Sequence, residues 1–209
     1  MERPADKESP ERTRERLLYH AAQLRGAEQE EATALLDPTR ALLARYDAHL
    51  QARALRSDSA TEAQALRDRR DQKADRLLGR FDLALLGLVE RKRDDARFMA
   101  VYQGKNLTGV RRLPFAEQAD FMEGMASALD RPELAPLQAE WQATLRQHAQ
   151  ALREAQATFQ AAVQQRDALH ADAALLRLET KRLLELNYAD LLKLYPHSGE
   201  AEDFFLSML

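Results

Sequence analysis

The groups in this chain best suited to chemistry are its five histidines, His20, His49, His148, His170 and His197, and they stand singly along the sequence. A zinc or di-iron centre in a helical protein needs carboxylates and imidazoles at i, i+3 spacing on at least two helices. Only Asp167 and His170 have that spacing, and no Glu-x-x-His occurs. No metal and no cofactor is therefore expected. His148 reads as a residue of a helical seam with one hydrogen bond, and the other four read as surface residues. Nucleophilic catalysis fares no better. The chain has no Cys, Ser is sparse, and no carboxylate pair stands in an apolar setting beside a candidate nucleophile. An enzyme is not expected.

Anion chemistry has one candidate, the segment Gly104-Lys-Asn-Leu-Thr-Gly109 and the residues after it. Its order is not that of a phosphate-binding P-loop, where Lys directly follows the second Gly. Lys105, Arg111 and Arg112 could still hold an anion there. The basic clusters 67–76 and 91–93 are laced with Asp68, Asp71, Asp75, Asp94 and Asp95. Interleaved signs describe a solvated helix face with i, i+4 pairs, so no nucleic acid partner is expected.

Two apolar stretches bear on membranes and partners. Leu83-Ala-Leu-Leu-Gly-Leu-Val89 is apolar all round for two turns, which suits burial inside a bundle. No stretch reaches the roughly 20 apolar residues of a membrane span, so stable membrane insertion is not expected. The terminal residues Phe204, Phe205, Leu206 and Leu209 are strongly apolar and could dock on a partner or close the end of the bundle.

The elements that must carry these groups are helices. Leu137 to Tyr195 contains neither Gly nor Pro. Within it Trp141, Leu145, His148, Leu152, Ala155, Phe159, Ala162, Leu169, Ala173, Leu176, Leu183, Leu191 and Leu194 recur at steps of three and four or their multiples, a seam on one helical face. Arg166, Thr180 and Asn187 fall in the seam where apolar residues belong. The seam polarity is broken most between 166 and 172, which leaves open whether 133–195 is one helix or two. Unbroken, it would be about 90 Å long at 1.5 Å per residue.

Upstream, the spacing predicts helices over 11–36, 38–56, 60–102 and 115–129. Asp37-Pro38 marks a helix start, and Ser59 with Glu62 has capping-box spacing. Gly79 and Gly87 inside the third helix suggest a close neighbour. Leu77-Leu78 and Leu85-Leu86 echo Leu175-Leu176 and Leu183-Leu184, which low complexity explains better than duplication does.

Composition agrees. The chain of 209 residues is 45% hydrophobic, 6% aromatic and 31% charged, with seven Gly and seven Pro. That is the profile of long helices or coiled coils. The net charge of −3 provides no bulk attraction to nucleic acid or anionic lipid. Residues 1–10 are polar, with no signal-peptide core, so a tail followed by one helical domain over 11–209 and a cytoplasmic location are expected. The fold expected is all-α, an elongated antiparallel helical bundle or intramolecular coiled coil with long helices. The function expected is a non-enzymatic structural or protein-interaction bundle that self-associates or binds a protein partner. The alternatives are a membrane-active protein concealing segment 83–89 and a ligand-binding protein using loop 103–114.

Overall fold

The computed structural model describes residues 9–205. It contains eight α-helices among those residues and no strand. Helix α1 spans Pro10–Arg25. The Ser9 side chain accepts a hydrogen bond from the Arg12 amide, and Pro10 occupies the first turn, where its missing N–H costs nothing. Leu17, Ala21 and Leu24 form the buried stripe. The chain leaves the helix at Gly26 rather than running to 36, because a Gly followed by Glu28, Gln29, Glu30 and Glu31 offers little apolar surface to repay continued ordering. A one-turn helix α2, Glu30–Ala34, precedes the next long element.

Helix α3 runs unbroken over Leu36–Leu88 and so joins the two helices expected at 38–56 and from 60. Residues 57–59 are exposed and meet no packing conflict. Inside a helix, Ser and Asp each cost only a few tenths of a kcal/mol against Ala. Leaving and restarting the helix would strand several backbone groups. Pro38 is tolerated because it lies in the first turn.

The helix stops at 88, fourteen residues short of expectation. Glu90 and Arg91 adopt left-handed φ values of 50° and 63°, and the Arg91 amide donates back to Leu86 O at 2.7 Å. Each such residue costs roughly 1–2 kcal/mol. The turn is repaid by what it brings back. Asp95 caps α4, Ala96–Tyr102, and α4 delivers Phe98, Val101 and Tyr102 to the core. Tyr102 Oη donates to the buried Asp82 at 2.7 Å, and Arg93 Nη2 donates to the same carboxylate at 3.4 Å. The Arg93 guanidinium also lies 5.6 Å from the Phe98 ring centre.

A second left-handed turn at Gln103 and Gly104 leads to α5, Leu107–Arg111, capped by Asn106. Helix α6 follows at Phe115–Ala128. After a 3-10 turn at Pro132–Leu134 comes α7, Ala135–Leu194, helical throughout and with no break at 166–172. A short α8, Ser198–Glu202, ends the described chain.

The contacts gather into two compact units. The first comprises Met1–Asp58 and Gln164–Leu209, the second Ser59–Val163. Helices α3 and α7 contribute residues to both. In the first unit they pack antiparallel: Asn187 meets Thr39, Thr180 meets Tyr46, and Gln165 meets Arg56. Leu17, Leu42, Tyr46, Leu176 and Leu184 fill one cluster there, and Ala21, Leu24, Leu36 and Leu191 another. In the second unit Phe81 of α3 meets Trp141 of α7 edge-on at 5.6 Å, and Arg67 lies over Phe159 at 4.3 Å, again antiparallel. Helices α4 and α6 close that core with Phe98, Met122 and Met125. Arg153 and Arg146 of α7 tie α6 down through Asp120 and Glu123. Among the described residues no helix is long and apolar enough to cross a membrane.

Candidate functional site

In the first unit α7 presents two contrasting faces. Toward the interior it carries two of the polar interruptions of the seam, Thr180 and Asn187, and each has a partner. Thr180 Oγ1 lies 3.2 Å from Tyr46 Oη and donates to Leu176 O at 2.8 Å. Asn187 Nδ2 reaches both His20 Nε2 at 2.9 Å and Thr39 Oγ1 at 3.1 Å, and Thr39 in turn donates to Leu35 O. His20 Nδ1 is 2.9 Å from Phe204 O. A carbonyl can only accept, so Nδ1 carries the proton and Nε2 is the acceptor for Asn187. His20 is fully buried, and burial pushes its pKa below the usual value against a smaller raising effect of the Phe204 carbonyl. A donor–acceptor chain of this kind fixes one packing of α1, α3, α7 and the segment at Phe204.

Toward solvent the same helix exposes Leu175, Leu178 and Leu186, at 60%, 64% and 56%. At 100° per residue these three share an arc of about 100° with Glu179 and Arg182. Beside them lies a groove of about 380 Å³ whose apolar lining includes Ala41, Leu42, Leu183 and Leu186. Arg45 of α3 bridges the groove to Glu179.

Elsewhere in this unit a cavity of about 430 Å³ opens between α3 and α7, lined by Arg53, Arg166 and Arg177 with His49, His170 and Ser57. Arg53 donates to Glu11 at 2.8 Å and Arg166 to Asp167 at 2.9 Å. Glu11 is held below the usual carboxylate range, first by its backbone hydrogen bond and then by Ser9, Arg53 and His49.

The charges of α3 in the second unit, interleaved in sequence, separate by face. Asp68, Asp71, Asp75 and Asp82 follow steps of three, four and seven and share one side. Arg69, Arg70, Lys73, Arg76 and Arg80 occupy another, are all exposed, and form no ion pair among the described residues. The face is solvated as expected, but the i, i+4 pairs are not what forms here. Acids meet acids: Asp71 is raised by burial and then by Asp75 and Asp68. His148, half-buried on α7, is lowered by burial and then by Arg70, Arg80 and Lys73.

Arg111, a candidate anion contact, reaches α3. Its Nη2 donates to Asp75 O at 2.5 Å, and its Nε lies 3.8 Å from the Asp75 carboxylate. Gly79 makes room for it, since a Cβ there would sit 2.7 Å from Arg111 Nη2. Nothing lies within 4 Å of a Cβ at Gly87. Lys105 and Arg112 are exposed. Phe204 and Phe205 are half-buried: Phe205 stacks on His20 at 4.5 Å and Phe204 lies against Tyr195 at 5.2 Å. Leu206 and Leu209 lie outside the described residues. Among the described residues no three His, Asp or Glu side chains gather as a metal site would need.

Sequence reasoning marked Arg166, Thr180 and Asn187 as faults but missed His20, Tyr46, Arg53 and Arg177 as their surroundings. Comparison of the chain with protein-family models, curated proteins and solved structures found no match.

Proposed function

We propose that this chain is a non-enzymatic protein-interaction module that pairs with a second copy of itself through the exposed face of α7 at 175–186. The observation that carries the reading is three leucines, each more than half exposed, in one arc with a Glu and an Arg between them. Such a face is self-complementary under an antiparallel two-fold pairing, as an isologous interface must be. Leu175 then faces the partner's Leu186, and Glu179 faces the partner's Arg182. Every contact is made twice, and apolar meets apolar while acid meets base. Burying a leucine contributes about 1.5–3 kcal/mol.

A binding role rather than a catalytic one is supported by how the interior polar groups of this unit are used. His20, Asn187, Thr39, Thr180 and Tyr46 hydrogen-bond to one another and to backbone carbonyls. None of them is turned toward the groove.

The lack of Cys makes the test direct. Leu175→Cys and Leu186→Cys are prepared separately, mixed and oxidised. The expected result is a disulfide-linked dimer in the mixture, far exceeding that formed by either variant alone. Equal yields from the mixture and the separate variants would refute the antiparallel pairing.

A further inference from the structure

The structure assigns a second site, independent of the leucine face: we propose that the cavity between Arg53, Arg166 and Arg177 binds a compact oligophosphate, a small molecule carrying two or more linked or neighbouring phosphate groups. Arg53 comes from α3, and Arg166 and Arg177 come from α7 three turns apart. Arg177 is only partly exposed and forms no ion pair among the described residues. An unpaired guanidinium on a cavity wall offers its whole fork of donors to an anion that enters. Arg53 and Arg166 each use only some of their five donors on Glu11 and Asp167, and the remainder are left for a ligand. His49 and His170 add ring nitrogens on the same cavity wall, and Ser57 adds a hydroxyl.

The chemistry of the lining selects the ligand. Guanidinium forks match carboxylate and phosphate alike. Cations contributed by two helices favour a tetrahedral, multiply charged group over a planar monocarboxylate bound from one side. The volume of about 430 Å³ lies in the range of small-molecule sites. No Phe, Tyr or Trp lines it, so nothing is present to stack a nucleobase, and the phosphates themselves carry recognition. The apolar part of the wall is Pro10, Leu169 and Ala173. Glu11 occupies Arg53 in the absence of ligand and competes with it.

The experiment is isothermal titration of the full chain with inorganic tripolyphosphate at low salt, with citrate as the carboxylate control. The expected result is saturable 1:1 binding, tighter than citrate. Arg177→Gln should weaken it about tenfold or more, the scale of one charge-assisted hydrogen bond. Glu11→Gln should strengthen it, since it removes the competing carboxylate. Arg112→Gln, in the exposed loop of the other unit, should leave it unchanged. Circular-dichroism melting of each variant establishes that the fold is retained. A parallel sedimentation with vesicles containing a bisphosphorylated inositol lipid separates the sources: binding of tripolyphosphate without sedimentation identifies a soluble ligand, and binding of both identifies a lipid headgroup. No saturable binding of tripolyphosphate, or losses equal in Arg112→Gln and Arg177→Gln, would overturn the proposal.

Discussion

Acidification from pH 7.5 to 5 should destabilise the folded chain through His20. The imidazole is fully buried, donates from Nδ1 to Phe204 O, and accepts at Nε2 from Asn187. Protonating Nε2 sets an N–H against the Asn187 amide hydrogens and places a charge in the core. Burial accordingly pushes the folded pKa down. Between the folded value and the ordinary value of about 6.5 the unfolded chain holds more protons than the folded one. Stability is thus fully present above about pH 6.5 and lost as the pH falls toward the folded pKa. The slope for one proton is about 1.4 kcal/mol per pH unit, so His20 can remove at most roughly 2 kcal/mol by pH 5. Urea unfolding of the wild type and of His20→Gln at pH 7.5, 6.5, 5.5 and 5 measures this. His148, lowered by burial and neighbouring cations, contributes to both curves and cancels in the difference. The wild type should lose its advantage over His20→Gln as the pH falls. Parallel curves would mean that the His20 network does not resist protonation, and the reasoning from burial would fail.

Three further outcomes follow from other parts of the fold. Gly87→Ala should stabilise by about 0.5–1 kcal/mol, since its Cβ meets nothing, while Gly79→Ala should gain less because its Cβ displaces Arg111 from Asp75; thermal melting of the two variants compares them directly. Arg76→Gln should raise stability by a few tenths of a kcal/mol at low salt by relieving like-charge repulsion with Lys73 and Arg80 on the basic face of α3, and the gain should vanish at 1 M salt; a gain unaffected by salt would count against the repulsion. Leu152 is 1% exposed, so Leu152→Ala should cost about 2–5 kcal/mol and Leu152→Asp should abolish cooperative melting; near-native melting of the Asp variant would show that this position is not core.

The all-α class and the long helices were legible because period and composition agree with each other over long stretches. Trp141, Leu145, Leu152, Ala155, Ala173, Leu176 and Leu191 are buried as the seam requires. The faults in the seam were legible as positions but not as interactions. The partners of Thr180 and Asn187 lie 134 and 167 residues away in sequence, and Arg166 lines a cavity with Arg53 from another helix. The end of α3 left no mark, because its left-handed residues are Glu90 and Arg91 rather than Gly. Ser57-Asp58-Ser59 misled in the opposite direction: a capping sequence acts only where the chain has another reason to leave the helix. The sign alternation at 67–76 looked self-neutralising in one dimension and separates into an acidic and a basic side once wound at 3.6 residues per turn. The repeated leucine pairs are not a packing repeat, for Leu77 and Leu78 are both buried while Leu175 is exposed and Leu176 buried.

The mass of the chain in solution tests the self-pairing most directly. Size exclusion coupled to light scattering over a concentration series should give two chains at high concentration, falling toward one on dilution. Leu178→Glu, which sets a charge on the leucine face without touching the core, should give one chain throughout with unchanged melting at low concentration. A wild-type mass of a single chain at every concentration would contradict the account.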